Sequence, residues 1–183
     1  MSDIAERYRE VAAGFTERAR AVPDQAWDSP APCDGWVARD IVRHMVEWMP
    51  GLVLGDAGVE LPKPASADDD PLGAWEALND ALQGALDDPE IGAREFEMRM
   101  GRFTVERAID MFCTGDVLVH TWDLARATGL DEHLDPDEVH RMFAGLEPMD
   151  AALRESGHYG PRVHVPDDAD EQTKLIAFTG RQP

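Results

Sequence analysis

The sequence predicts an all-α fold, a four-helix bundle with an extra C-terminal helix or a short irregular tail. Three observations predict it. Apolar residues recur three and four apart along most of the chain, the mark of one helical face. Only one short segment alternates as a strand would. The 183 residues show no internal repeat and no composition shift, so one domain over 1–183 is expected, with a core at about 3–155 and a tail at 156–183.

The elements follow in order. Residues 3–22 place Ile4, Tyr8, Val11, Phe15, Ala19 and Val22 on one stripe, which Pro23 closes. Ser29–Gly35, with Pro30 and Pro32, reads as a stiff loop. A second helix is expected from about Trp36, with Asp34 as candidate cap, Val37, Ile41 and Trp48 on one side, and Pro50-Gly51 as its stop. Residues 51–70, rich in Gly, Pro and Asp, read as a solvated connection. Pro71 suits the first position of a third helix with Leu72, Trp75, Leu78, Leu82 and Leu86 inward. Glu95 to Met100 alternates charged with apolar residues and is broken by Gly101, so a short strand or extended arm is expected there.

The longest helical pattern runs from Thr104 to Ala127, with Gly129 in the C-cap position. A last helix is expected over Pro136–Glu155, with Val139, Met142, Phe143, Leu146, Met149 and Leu153 inward. Beyond Gly157 only the apolar cluster Leu175–Phe178 stands out.

Charge and cysteine usage narrow the function. Seventeen Lys and Arg stand against 37 Asp and Glu, a formal charge of −20. Phosphate backbones and anionic headgroups would repel such a chain, so nucleic acid and membrane are not expected partners. The acidic surplus gathers at 67–71, 87–90 and 166–171, where it solvates the surface. No apolar run approaches the roughly 18 residues of a membrane span, and MSDIAERYRE lacks the apolar stretch of a secretory signal. Two cysteines, Cys33 and Cys113, suit a reducing cytoplasm. A cytoplasmic enzyme or a small binding module is expected.

Three polar residues fall on apolar faces. With Asp116 as origin and about 100° per residue, Ile109 lies near +20°, Phe112 near −40°, Cys113 near +60°, His120 near +40° and Asp123 near −20°. Asp116, His120 and Asp123 thus share the apolar stripe. On the second helix His44 shares a face with Val37, Ile41 and Trp48, flanked by Asp40 and Glu47. A carboxylate-x-x-x-His pair on one helix and a His on another can build a metal site in a bundle. The same spacing also suits a structural role, with Asp116 and His120 bonded to each other and His44 bonded to Asp40.

The segment Cys33-Asp34-Gly35-Trp36 leading to Asp40-Ile41-Val42-Arg43-His44 resembles the Gly-Trp…His signature of the DinB/YfiT-like metalloenzyme family. It is most similar to the branch of mycothiol-dependent maleylpyruvate isomerase and its metal-binding domain. His120-Thr121-Trp122-Asp123-Leu124-Ala125 resembles a segment of the small actinobacterial members of that branch, as does the ending Gly180-Arg181-Gln182-Pro183.

The resemblance implies a bundle holding one divalent metal near one end, with His44, Asp116 and His120 at the ligand positions. Asp116 departs from the family's Glu by one methylene. The isomerase carries a further C-terminal domain, so a related chemistry is expected rather than that isomerisation itself. Two imidazoles and a carboxylate leave open positions on the ion, as in catalytic sites. Zinc suits the N/O set best, with nickel, manganese and iron as alternatives. The resemblance suggests mycothiol as a thiol cofactor, for transfer or isomerisation of a small-molecule substrate, and metal-assisted hydrolysis would use the same ion. The alternative is a non-catalytic module that binds metal or ligand, or forms a homodimer.

Around these ligands, Asp40 and Asp123 are candidates to orient the histidine rings. The alternative reading of Asp123 is a partner of Arg126 or Arg102. Cys33 reads chiefly as a packing residue that can approach the site, and Cys113 as core. Trp27, Trp36, Trp48, Trp75 and Trp122 read mostly as core anchors, Trp48 also as a wall of the site. His133, His140, His158 and His164 read as surface residues.

Overall fold

A computed structural model of the protein describes residues 2–55, 57–59, 66–98, 101–155, 157 and 159–183. Helix α1 spans Asp3–Ala21, capped by the Ser2 side chain, which accepts from the Ala5 N–H. Its buried face carries Ala5, Tyr8, Val11, Ala12, Phe15 and Ala19. After a 3-10 turn at Asp24–Asp28, helix α2 spans Ala38–Pro50 and helix α3 spans Pro71–Asp87. One-turn helix α4, Pro89–Gly92, leads to strands β1, Glu95–Met98, and β2, Gly101–Thr104, an antiparallel pair in the register Glu95↔Thr104 and Met98↔Gly101.

Helix α5, Val105–Ala108, passes through a π-helical turn, Ile109–Cys113, into α6, Thr114–Thr128. Gly129 ends α6 at a φ of 71°, a left-handed conformation that costs glycine little. Helix α7 spans Pro136–Leu146, α8 Asp150–Glu155 and α9 Glu171–Phe178. The fold is all-α apart from the hairpin, as the sequence predicts. Helix α1 packs on α3 and α6, and α2 packs on the same two, which closes the four-helix core. Phe15 and Trp75 meet at its centre with ring centroids 4.4 Å apart. Helix α9 packs against α7.

Several sequence expectations are corrected. Helix α2 begins two residues after Trp36, and Asp40 rather than Asp34 satisfies its start, accepting from the Val37 N–H at 2.8 Å. Gly35 adopts a φ of 75° in a tight turn, so Asp34 lies outside the helix it was expected to cap. Pro50-Gly51 does not stop the chain's winding. Proline removes one backbone donor, and the helix continues as a π turn, Gly51–Gly55. The expected connection over residues 51–70 is not wholly solvated, because Val53, within this turn, and Ala67, beyond it, are buried.

The expected single helix over Pro136–Glu155 is broken by a 3-10 turn at Glu147–Met149, where Pro148 sits, and Met149 is 42% exposed rather than inward. Met142, Phe143, Leu146 and Leu153 are only half-buried. The extra C-terminal helix is real and buries Leu175, Ile176, Ala177 and Phe178 completely. The expectations for Met100 and His158 fall outside the described residues.

Candidate metal centre

The π turn decides how α6 meets its neighbours. Five residues per bonded ring break the 100° progression, so ideal-helix angles do not carry across Ile109–Cys113. Thr114 repairs the local backbone, its hydroxyl donating to the Ile109 carbonyl at 3.2 Å. Beyond that turn α6 is regular, and Asp116, His120 and Asp123 do share a face as the spacing predicts.

His44 of α2 reaches across to this face. Its Nε2 lies 3.7 Å from Asp116 Oδ2, and His120 Nε2 lies 3.6 Å from the same oxygen. One ligand atom from each of the three lies within 4.8 Å of the others. Both separations from Asp116 are too long for hydrogen bonds. Asp116 Oδ2 is buried, and no hydrogen-bond partner meets it. Two donors about 2.1 Å from one ion at the tetrahedral angle stand about 3.4 Å apart. The residues therefore fit a small divalent cation: two imidazole nitrogens each stand close to the tetrahedral separation from one orphaned carboxylate oxygen.

Behind His120 stands a second set of bonds. Its Nδ1 lies 2.8 Å from Asp123 Oδ2, and Asp123 is fully buried. Arg181, just past α9, closes on the same carboxylate, donating from Nε to Oδ1 at 2.7 Å and from Nη2 to Oδ2 at 2.7 Å. Burial opposes ionisation of Asp123, but its bonds to His120 and Arg181 outweigh it and hold its carboxyl below the ordinary range. Because that carboxylate is an acceptor, Nδ1 carries the proton and Nε2 turns its lone pair toward Asp116.

The two histidines differ. Burial lowers the pKa of His44 despite the opposing charge of Asp116. Burial also acts to lower that of His120, but Asp116 and Asp123 together raise it. The Cys33 thiol donates to Asp123 Oδ2 at 3.7 Å, and Arg181 Nη2 donates to the Cys33 sulfur at 3.5 Å. Burial, reinforced by the Asp123 charge, pushes this thiol up to about 11. Tyr159 is pushed up to about 12 by burial and by the charge of Asp116.

Aromatic rings wall the centre. Trp36 lies 5.2 Å from His44 and, nearly parallel, 6.2 Å from His120; Trp48 lies 5.9 Å from His44. Trp48 thus takes the wall position expected of it. Trp36 does so too, only half-buried, whereas Trp27, Trp75 and Trp122 are core anchors.

The structure brings together His44, Asp116, His120 and Asp123, and corrects three pairings. Asp40 bonds Val37 and Arg43 rather than His44. Arg126 pairs with Glu132, and Arg102 with Glu95 and Glu97, so neither serves Asp123. Cys33 is in contact with the site rather than merely packed near it. Cys113 is fully buried, and His133, His140 and His164 are exposed, as expected. Sequence reasoning missed Arg181 as a site residue. The available signal was a cation placed just past a wholly apolar run, which must find a partner if that run is buried.

A family model described as the mycothiol maleylpyruvate isomerase N-terminal domain matches residues 8–125. That span includes His44, Asp116, His120 and Asp123 and stops short of Arg181. An uncharacterized protein of Mycobacterium tuberculosis strain CDC 1551 / Oshkosh is 27% identical over 154 residues, 83% of each chain. An uncharacterized protein of strain H37Rv matches to the same extent. No solved structure matches the chain.

Proposed function

The chain belongs to the mycothiol maleylpyruvate isomerase N-terminal domain family, and on that premise we propose that it is a metal-dependent enzyme acting with a thiol on a small molecule. His44, Asp116 and His120 hold one divalent ion, zinc by the chemistry of the donor set, with nickel, manganese or iron as alternatives. The observation that carries this reading is the buried Asp116 Oδ2, unpartnered between two imidazole nitrogens at 3.6 and 3.7 Å. Leaving a buried carboxylate oxygen unsatisfied costs stability unless a cation meets it.

Such an ion supplies Lewis acidity, holding a thiol such as that of mycothiol as thiolate or acidifying a water. The chain's own residues set the conditions. Asp116 and Asp123 bring two negative charges and Arg181 one positive, so a divalent cation leaves the cluster with one net positive charge. That balance favours an anionic ligand at the open position. Asp123 keeps the His120 Nε2 lone pair aimed forward. Trp36 and Trp48 shield one side of His44 from water and offer apolar rings to a substrate. Cys33, held protonated, is a hydrogen-bond donor to Asp123 and not the nucleophile.

Elemental analysis of protein purified without chelator tests the metal, with about one ion per chain expected. His44→Ala and His120→Ala are each expected to empty the site. Unchanged metal content in both variants would sink the proposal. Conjugation or isomerisation assays with mycothiol and small electrophiles then test catalysis, and retained metal without turnover would leave a binding module.

A further inference from the structure

Resting on that metal reading, we infer that Arg181 is a positioning residue of the centre. The C-terminal segment folds back to clamp Asp123, and through Asp123 it fixes the ring and tautomer of His120. Arg181 touches none of the three proposed ligands by any hydrogen bond of the structure; its bonds go to both oxygens of Asp123 and to the Cys33 sulfur. Asp123 Oδ2 is the shared atom, meeting His120 Nδ1 at 2.8 Å and Arg181 Nη2 at 2.7 Å. Without the guanidinium the carboxylate loses the fork that fixes both its oxygens and is free to turn, which removes the oriented acceptor that commits the imidazole proton to Nδ1.

The fold delivers Arg181 with little freedom. The end of α9 closes as a Schellman motif: the Gly180 N–H donates to Ala177 O at 3.1 Å and the Arg181 N–H to Ile176 O at 3.2 Å. Gly180 has a φ of 88°, and a Cβ built there would stand 3.3 Å from the backbone of Gly160 and Pro161. Only glycine turns the chain there without strain, so the guanidinium is aimed by a buried helix, a fixed turn and a bidentate bond. The clamp unites three regions distant in sequence: the turn holding Cys33, the face of α6 and the residues after α9. Two of its members lie within residues 8–125, whereas Arg181 is supplied by the chain beyond the matched family span.

The test uses the full chain in two measurements. Long-range proton–nitrogen NMR of the imidazoles, on metal-free protein, is expected to show His120 protonated at Nδ1 in the wild type and a mixed or Nε2-protonated ring in Arg181→Ala. Zinc titration is expected to show affinity weakened about 10–100-fold in Arg181→Ala and in Asp123→Asn. The double variant is expected to lose no more than the worse single one, since both act through one bond. Arg181→Lys keeps a charge but not the fork, so it should fall between wild type and alanine, and it serves if the alanine variant does not fold. An unchanged His120 tautomer with unchanged zinc affinity in Arg181→Lys and Arg181→Ala would overturn the inference, as would losses that add in the double variant. A wild type that binds no zinc refutes the metal reading instead, and the metal-free NMR experiment then still tests Arg181 on its own.

Discussion

The Asp116 side chain is one methylene shorter than a glutamate would be, and still its Oδ2 lies almost equally far from both histidine nitrogens. The shorter arm reaches the gap because His44 and His120 close on it from two helices. At the same scale Cys33 shows how neighbours decide reactivity. A thiol beside a candidate metal site and an arginine suggests a nucleophile, yet burial and the Asp123 charge dominate and push it up to about 11. At pH 8 that leaves on the order of one thiol in a thousand as thiolate. Iodoacetamide at pH 8 is therefore expected to modify Cys33 in folded protein at least tenfold more slowly than in urea-unfolded protein, as read by mass spectrometry. Equal rates would show that the thiol is neither buried nor held by Asp123. Residue types and spacing made His44, Asp116, His120 and Asp123 legible in the sequence, because all four sit in regular helix where a period of 3.6 holds. Arg181 and the wall role of Trp36 were not legible, since both follow from turns whose direction no periodicity encodes.

At the scale of elements, α9 decides between the two expected endings, an extra C-terminal helix or an irregular tail, in favour of the helix. Eight residues of a nominal tail bury four apolar side chains completely and carry Arg181 to the site. Ile176→Ala is expected to cost about 2–5 kcal/mol, the range for deleting a fully buried aliphatic side chain. Gly180→Ala adds a left-handed alanine and a close approach to Gly160, and is expected to cost about 1–2 kcal/mol. Urea denaturation checks both: a midpoint unmoved by Ile176→Ala would mean that α9 does not share the cooperative core. The π turn at Ile109–Cys113 and the one after α2 explain why stripes drawn on ideal wheels drift at their ends. Helix α6 was still readable because its site residues all follow the turn. Arg7 joins the elements from outside, its guanidinium bonded to Asp110 of the π turn and to Glu138 of α7. Arg7→Ala is expected to cost about 2 kcal/mol by leaving the half-buried Asp110 and the buried Glu138 short of a partner, again read from the urea midpoint.

At the scale of the whole molecule, the −20 charge and the site are separate facts. Acidic residues crowd connections such as 68–70 and 167–170, whereas Asp116 and Asp123 stand on α6, Asp123 bonded to His120 and Arg181 and Asp116 with its Oδ2 unpartnered. Among the described residues no helix is long and apolar enough to cross a membrane. A cation that binds only the folded chain must stabilise all of it. Zinc at a hundredfold excess over its dissociation constant is expected to add about 2.7 kcal/mol. For a chain of this size that raises Tm by about 5–10 °C. Differential scanning calorimetry with zinc and with chelator checks this, and the gain should vanish in His44→Ala. Composition and helical period by themselves determined the all-α class, most helix starts, the faces that carry the candidate ligands and the acidic surface. Those properties depend on neighbours within about two turns, whose geometry the helix sets. Tertiary structure alone decided that α2 and α6 face each other across an orphaned oxygen, that Cys33 stays a thiol, and that the last residues return to hold Asp123. These depend on contacts between residues as many as 148 positions apart, and such contacts form only when packing brings distant segments to one buried point.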